Sequence, residues 1–359
     1  MYDLPSHASL WPGGLEAVPQ CPLCGESRRT VELDKLSDET FGAAPGTWIS
    51  KRCLGCGVMY LDPRPDPASI HLAYRNYYTH DAQPVTPHRG LLARARNVLG
   101  NSYRNRLFGT DLHPSLPIAG WIAPLFRKTA ARIRQEDRGL GGAHGVDRRL
   151  LDVGCGRGEF ILWARQLGWR CYGVEIDGAA AALARQCGGE ILGSRVQEVS
   201  RAHDVFFDAI TLSHVIEHVY DPLDLLGHCW RLLRPGGYLW IETPNSESVG
   251  YEVYGRHWRG LEPPRHLVLF NTSALRMSLE RTGFERARTL EPRDAAGRLF
   301  LLSEAMRNGL IAERDQYVLA PEAVAHATAT ARRARAATRR DPRRSEFVTM
   351  VAYRPPAGK

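Results

Sequence analysis

The sequence predicts an α/β protein with a mostly parallel, seven-stranded sheet that has helices on both faces, preceded by a small N-terminal module. Three observations predict this fold class. Short apolar runs alternate with helical patterns from residue 149 onward, a glycine-rich turn joins the first of these runs to a helix, and two Cys-x-x-Cys pairs precede them. Such alternation is typical of parallel sheets, because parallel neighbours need a long crossover connection.

The N-terminal module, residues 1–80, is rich in proline, glycine and turn signals. It contains the pairs Cys21/Cys24 and Cys53/Cys56, and a glycine follows each pair. Four thiolates at this spacing supply a closed tetrahedral site, so we expect structural Zn²⁺ with no catalytic role. A thioredoxin-like redox pair and ordinary buried thiols are the alternatives, although the segment lacks the βαβ pattern of redox proteins.

Residues 81–145 follow as two basic, helical stretches broken by prolines and a glycine. They predict a connector or lid, and a weak contact with a membrane surface would be made through residues 88–134. The third part of the chain, residues 146–359, then forms the α/β domain, with a helical insertion near 295–344. We expect the second helix of this insertion, which is rich in alanine and arginine, to be exposed.

The α/β domain contains seven predicted strands. They cover residues 149–153, 169–176, 190–194, 205–213, 238–243, 284–291 and 346–354. A turn, Arg234-Pro235-Gly236-Gly237, is predicted before the fifth strand. Helices are predicted from Glu159, from Asp221 as the N-cap before Pro222, and from Thr272 to Gly283.

The turn after the first strand contains Gly154, Gly156 and Gly158. A dinucleotide-binding turn would read Gly-x-Gly-x-x-Gly and place a pyrophosphate at the helix N-terminus. Here the third glycine comes one residue early, and Glu159 would repel a phosphate. Glu175 ends the second strand. Its separation in sequence from the glycine turn is the one expected of a carboxylate that accepts hydrogen bonds from ribose hydroxyls. The two features indicate an adenosine ligand, and a turn without a ligand is the alternative.

Asp152-Val153-Gly154-Cys155-Gly156-Arg157-Gly158, followed by Gly173-Val174-Glu175-Ile176-Asp177, resembles the first two motifs of class I S-adenosylmethionine-dependent methyltransferases. The resemblance extends through residues 207–210, 214–219 and 233–237. It implies a Rossmann-like methyltransferase fold and S-adenosyl-L-methionine as cofactor, with the last strand as the antiparallel edge strand. The implied cofactor-binding residues are Asp152, Gly154, Cys155, Gly156, Gly158, Glu175, Ile176, Val196, Gln197, Ser213 and His214.

The cysteine pairs, together with Tyr60, Pro63, Pro65 and a later tyrosine cluster that includes Tyr74, resemble a subgroup of bacterial methyltransferases. Members of this subgroup have an N-terminal zinc-binding segment and often act on sugar nucleotides, exopolysaccharide or secondary metabolites. The resemblance implies a small-molecule acceptor for the methyl group, such as a nucleotide-sugar or glycan.

Histidines follow the predicted fourth strand and lie in the aromatic, cationic loop 254–267 after the fifth strand. Ligands of this fold class bind at the carboxyl ends of the strands, so His214, Glu217 and His218 meet that location, and the loop would cover the acceptor. We predict His218 or His266 as the proton acceptor, with Glu217 as a neighbouring carboxylate. A structural hydrogen bond is the alternative for each histidine.

The net charge of +8 and the pI of about 9.2 are compatible with nucleic acid, an anionic membrane surface or a phosphorylated substrate. The arginines are spread along the chain, and such a spread is equally expected of a protein that binds none of these partners. The unclustered charge favours no nucleic acid as partner, and the resemblance to the zinc-containing subgroup implies methylation of a sugar nucleotide or glycan, at oxygen or carbon. A quinone or phenol O-methyltransferase and a zinc-ribbon RNA-binding methyltransferase are the alternatives. Neither a signal peptide nor a transmembrane segment is predicted, so we expect a cytoplasmic protein.

Overall fold

The computed structural model describes residues 10–75, 91–126, 135–143, 146–202, 206–291, 293–312 and 318–358, together with residues 130 and 133. Parts of the predicted membrane-contact segment 88–134 therefore lie outside the described residues. Within the described ranges, no helix has the length and apolarity needed to cross a bilayer.

The elements begin with short strands and end with a long helix and a strand. The strands are β1 (Leu15–Glu16), β2 (Arg29–Leu36), β3 (Trp48–Cys53), β4 (Met59–Leu61), β5 (Arg64–Pro65), β6 (Arg149–Val153), β7 (Arg170–Val174), β8 (Glu190–Gly193), β9 (Phe207–Ser213), β10 (Leu233–Pro244), β11 (Val268–Leu269), β12 (Glu285–Thr289) and β13 (Phe347–Tyr353). The helices are α1 (Leu91–Phe108), α2 (Pro117–Ile122), α3 (Glu159–Gln166), α4 (Gly178–Gln186), α5 (Val196–Ala202), α6 (Pro222–Leu232), α7 (Val249–Tyr254), α8 (Thr272–Arg281), α9 (Ala296–Arg307) and α10 (Pro321–Arg340).

The predicted seven-stranded sheet is confirmed among the described residues, with the strand order β12-β13-β10-β9-β6-β7-β8. The pairs β6–β7, β6–β9 and β7–β8 are parallel. Val153 at the end of β6 lies opposite Val174 of β7 and Leu212 of β9, so these three strands end at the same edge of the sheet. This is the Rossmann-like methyltransferase fold that the resemblance implies.

Two expectations about this sheet were wrong. The last strand is not an edge strand, because β13 lies between β10 and β12. It is antiparallel to β10, as two backbone hydrogen bonds show. Gly236 N–H donates to Arg354 O and Asn245 N–H donates to Glu346 O, so residue numbers fall along β13 where they rise along β10. The residues around Gly236, predicted as a turn, belong to β10, since β13 and the residues after it offer them backbone partners.

The predicted helix starts are confirmed, and two of the three helices have capping side chains. Asp221 Oδ1 accepts a hydrogen bond from the Asp224 N–H at the start of α6. Asn271 accepts one from the Ala274 N–H at the start of α8, and α3 begins at Glu159. These side chains satisfy backbone donors that have no partner within the helix.

A second, four-stranded sheet has the order β11-β4-β3-β2. Three of its strands come from the N-terminal module, but β11 directly follows the loop 254–267 that was predicted to cover the acceptor. Val268 pairs with Tyr60 and Leu269 with Met59, and the Leu61 N–H donates to Leu267 O. The N-terminal strands and the covering loop are therefore parts of one sheet.

The chain groups into two compact units. The first comprises the described residues of Met1–Tyr77, Ser213–Gly227 and Ile241–Met350, and the second those of Tyr78–Leu212, His228–Trp240 and Val351–Lys359. The division into 1–80, 81–145 and 146–359 stays a prediction.

The core of the first unit is formed by aromatic residues of the N-terminal strands, the covering loop and the helical insertion, among them Trp48, Trp258 and Phe300. The alanine- and arginine-rich α10 packs Ala327, Ala331 and Ala334 against this core. Its alanines form one apolar face at helical spacing, while its arginines lie on the exposed side. The expectation of an exposed helix therefore holds for only one of its faces.

A buried ion pair holds the N-terminal module to the covering loop within this unit. The Arg265 guanidinium, whose side chain has no exposed surface, bonds to both carboxylate oxygens of Asp38 and donates to Glu262 Oε1 (3.0 Å) and Ala73 O (2.8 Å). Asp38 also accepts hydrogen bonds from the backbone N–H groups of Phe41, Ala43 and Ala44. Both charges thus have several partners, as buried ions require.

We expect Asp38→Ala to lower the free energy of unfolding by about 3–5 kcal/mol, because it removes one of the two carboxylates that pair with the buried guanidinium. The matched control is Asp294→Ala. Asp294 pairs with Arg335 at the surface, where both side chains are about half exposed, and its loss should cost less than about 1 kcal/mol. Urea unfolding measures both values. Equal losses in the two variants would contradict this interpretation of the Arg265 pair.

Candidate active site

The glycine turn lies in the second unit, between β6 and α3. Gly154, Gly156 and Gly158 all have positive φ angles, of 68°, 54° and 83°, which side chains other than glycine rarely adopt. At Gly158 a Cβ atom would come within 2.7 Å of Ala184 Cα, whereas at Gly156 it would meet nothing within 4 Å. The turn is therefore closed on its helix side and open at Gly156, where a ligand can approach the backbone.

Glu175 lies at the end of β7 beside this turn. Its Oε2 accepts a hydrogen bond from the Gly156 N–H (2.8 Å), and its Oε1 accepts one from the Asp177 N–H (2.9 Å). These bonds fix the orientation of the carboxylate, and each oxygen retains a further lone pair for a hydroxyl donor. Ile176, the next residue, exposes 72% of its surface and offers an apolar contact for a flat ring.

Asp152 is buried on β6, where its Oδ1 accepts hydrogen bonds from Thr211 Oγ1 (2.6 Å) and Arg138 Nη1 (2.7 Å). The Arg138 guanidinium also lies 3.7 Å from the centre of the Phe160 ring. No sequence pattern indicates a role for Arg138, which precedes β6 within a stretch dominated by glycine and charged residues. Its role becomes visible only in three dimensions.

The other predicted cofactor residues of this unit differ in their exposure. Cys155 is buried, and burial raises the pKa of its thiol, so it is a packing residue that contributes its backbone to the turn. Val196 is buried and Gln197 half-buried at the start of α5. Ser213 and His214 belong to the first unit.

His214 directly follows β9 and has a positive φ angle of 55°. Its Nδ1 lies 3.2 Å from Glu217 Oε1 and its Nε2 lies 3.5 Å from Glu242 Oε1. Burial disfavours a charge on this imidazole, but the hydrogen bonds to the two carboxylates raise its pKa to about 9. His214 is therefore protonated at neutral pH and compensates the charge of the two glutamates.

Glu217 is completely buried in a short 3₁₀ turn, Ile216–His218. Its Oε2 accepts a hydrogen bond from Thr243 Oγ1 (2.9 Å). Burial favours the neutral acid, yet the hydrogen bond from His214 and the nearby imidazoles lower the pKa of Glu217 to about 2. The site thus contains a buried carboxylate that stays ionised.

The imidazoles of His218 and His266 lie next to each other, with 4.7 Å between ring centres. His218 Nδ1 lies 3.0 Å from Arg265 O, and His266 Nδ1 lies 2.8 Å from Gly260 O. A carbonyl oxygen only accepts, so Nδ1 carries the hydrogen in both rings and Nε2 keeps its lone pair. Burial lowers the pKa of His266 to about 4, which keeps this ring neutral.

Two further residues complete this cluster. The Tyr74 hydroxyl lies 3.1 Å from His218 Nδ1. Glu262 Oε2 lies 3.8 Å from His266 Nε2, and Glu262 is paired with Arg259 and Arg265. The sequence marked Tyr74 only as part of a tyrosine cluster and gave no signal for Glu262. Trp258 of the covering loop is fully buried and donates to Glu346 Oε2 (3.0 Å).

The four cysteines of the N-terminal module converge on one point. Their sulfurs lie within 4.8 Å of one another, with 3.6 Å between Cys21 and Cys56 and 3.5 Å between Cys24 and Cys53. Four thiolates around Zn²⁺ at about 2.3 Å have sulfur–sulfur distances of about 3.8 Å. The donor set and its spacing therefore fit a tetrahedral zinc ion.

Comparison with known proteins locates one family in the middle of the chain. Residues 122–288, just under half of the chain, match a family described as methyltransferase domain. The chain is 33% identical over 138 residues to the ubiquinone biosynthesis O-methyltransferase of Alkalilimnicola ehrlichii, a match that covers 37% of this chain and 55% of the relative. The enzyme of that name from Xanthomonas oryzae pv. oryzae is 36% identical over 29% of this chain and 46% of the relative.

The chain thus spans about half the length of these curated relatives. Among solved structures, an S-adenosylmethionine-dependent methyltransferase from Archaeoglobus fulgidus is similar, with 20% sequence identity and a TM-score of 0.42. That similarity covers 64% of this chain and 93% of the other.

Proposed function

We propose that this chain, which contains a methyltransferase domain of the S-adenosylmethionine-dependent class, transfers a methyl group from S-adenosylmethionine to a hydroxyl oxygen of a small molecule. The observation that carries the proposal is the glycine turn with Glu175 bonded across it. The cofactor supplies a methyl group on a sulfonium, whose S–CH₃ bond breaks as the O–CH₃ bond forms. The products are a methyl ether, S-adenosylhomocysteine and a proton.

The cofactor fits the second unit in three ways. Glu175 offers two fixed oxygens to the ribose hydroxyls, Gly156 leaves open space for close approach, and Ile176 offers apolar surface to the adenine. The turn does not have the Gly-x-Gly-x-x-Gly spacing, and the carboxylate of Glu159 begins the helix that follows it, which favours a nucleoside over a dinucleotide.

The acceptor hydroxyl must lose its proton as the methyl group arrives, and His218 and His266 are the proposed acceptors of that proton. Both Nε2 atoms keep a lone pair, and the buried carboxylate of Glu217 favours a positive charge nearby. His218 is the better candidate for direct proton uptake, because the low pKa of His266 makes its imidazole a weak base.

The names of the curated relatives favour a phenolic or quinol acceptor, the alternative that the sequence left open. No finding supports the nucleotide-sugar or glycan acceptor that we first expected, nor a nucleic-acid partner. We therefore propose an O-methyltransferase of phenols or quinols. A cytoplasmic location and a weak membrane contact through residues 88–134 stay predictions.

We also propose that Cys21, Cys24, Cys53 and Cys56 bind one structural Zn²⁺. Four cysteine ligands leave no open coordination position, so the metal would stabilise the fold without reacting. Its influence would extend to the covering loop, because β4 pairs with β11 two residues after His266.

We expect Glu175→Ala to weaken S-adenosylmethionine binding by about 1–3 kcal/mol, since two ribose hydroxyls lose their acceptors. Calorimetric titration measures the affinity. The matched control is Glu190→Ala, which removes an exposed carboxylate from the same sheet and should leave the affinity unchanged. Unchanged affinity in Glu175→Ala, or binding of NAD in place of S-adenosylmethionine, would refute the assignment.

Removal of zinc by a chelator should raise amide hydrogen exchange in residues 10–75 and also in 259–271, because the two segments share a sheet. Exchange in β6 and α3 of the second unit serves as the control and should not change. Elemental analysis without zinc would rule out the site, and exchange that rises only in 10–75 would rule out the coupling.

His218→Ala and His266→Ala should each reduce turnover by about 100-fold or more, with cofactor affinity intact. Release of S-adenosylhomocysteine is measured with a panel of phenols and catechols, and in parallel with nucleotide sugars. His326→Ala is the matched control, because it removes another imidazole paired with a buried glutamate, Glu304. Near-normal turnover in both test variants would mean that neither histidine acts as the base and that alignment of the substrates alone accounts for catalysis.

A further inference from the structure

Four charged side chains form a group near the carboxyl ends of β9 and β10, the edge of the sheet at which ligands of this fold class bind. Glu217 and Glu242 expose 0% and 5% of their side chains, whereas His214 and Arg293 expose 33% and 50%. A molecule that arrives from solvent therefore meets the two cations and not the carboxylates. We infer that Arg293 binds a carboxylate substituent of the acceptor and so determines which acceptors are methylated.

Arg293 retains hydrogen-bond donors for such a group. Its Nη2 lies 3.1 Å from Glu242 Oε1 and 3.3 Å from His214 Nε2. A guanidinium has five N–H donors in one plane, and within the part of the chain that the structure describes, Nε and Nη1 form no hydrogen bond. Asp294, the next residue, pairs with Arg335 and leaves Arg293 to other partners. The remaining N–H groups can therefore donate two parallel hydrogen bonds to a carboxylate.

The guanidinium is held in place before a ligand binds. Its central carbon lies 5.0 Å from the centre of the Phe347 ring, and the same ring packs edge-on against His214, with 4.7 Å between ring centres. Glu242, the ion-pair partner, is itself fixed by a hydrogen bond from Thr349 Oγ1 (2.9 Å). Because these contacts orient the arginine, less conformational freedom is lost when a ligand binds to it.

The balance of charge favours a carboxylate over a phosphate. His214 is protonated at neutral pH, so the two cations and the two glutamates sum to zero. The outward position of the cations, and not a net positive charge, attracts the anion, which suits a singly charged group that one planar guanidinium matches. The inference rests on the proposed methyl transfer: the carboxylate orients the acceptor, and a separate hydroxyl of the same molecule is methylated.

The test compares isomeric hydroxybenzoates and dihydroxybenzoates with their methyl esters as acceptors for the full chain. We expect at least one acid to exceed its ester about tenfold or more in kcat/KM, mainly through a lower KM. Arg293→Met should reduce this acid-to-ester ratio to about one, and Arg293→Lys, which keeps the charge without the planar fork, should give an intermediate ratio. Arg335→Met, which removes an exposed arginine that pairs with Asp294, should keep the wild-type ratio.

Calorimetric titration with the same hydroxybenzoates, and with phenyl phosphate, measures binding without turnover. A wild-type acid-to-ester ratio of one or less overturns the inference whether or not the variants fold, as does an unchanged ratio in Arg293→Met or tighter binding of phenyl phosphate than of every hydroxybenzoate. If phenols are methylated without a preference for acids, the carboxylate site fails and the methyl-transfer proposal stands. If Arg293→Met weakens hydroxybenzoate binding about tenfold but no acceptor is methylated, the reverse holds.

Discussion

The first unit depends on one buried cation. Arg265 bonds to Asp38 of the N-terminal module and to Glu262 of its own loop. Its backbone carbonyl accepts the hydrogen bond from His218, and its neighbour in sequence is His266. Because an uncompensated buried guanidinium is costly, the loop has few alternative positions. The pairing that stabilises the fold therefore also sets the tautomer of one imidazole and the backbone position of the other.

Charge compensation explains how so many ionised groups remain buried beside one another. Glu217 and Glu242 share the protonated His214, Glu242 also pairs with Arg293, and Glu262 lies between Arg259 and Arg265. Each carboxylate has a positive neighbour and further hydrogen bonds, which offset its loss of hydration. Removal of His214 would take a positive partner from both Glu217 and Glu242, so these charges depend on one another and are not a set of independent pairs.

The sequence predicted those features of the fold that local residue patterns determine. Apolar periodicity placed β6 residue for residue, and the glycine turn and the capping Asp221 were found where their spacing indicated. It could not predict pairings between distant segments. The strand β11 has two residues and no pattern of its own, and the contact of Tyr74 with His218 joins positions far apart in the chain. The interior place of β13 was missed because a strand pattern does not reveal its neighbours.

The pairing of β4 with β11 has a consequence for any shortened form of the chain. A chain trimmed to begin after the N-terminal strands would leave the backbone donors and acceptors of Val268 and Leu269 without their sheet partners. Both side chains are apolar and buried in the intact protein. Unpaired apolar strand edges are templates for association with other chains. The cysteine-containing segment thus has a protective role against aggregation, independent of any metal, and fragments without it should be prone to self-association.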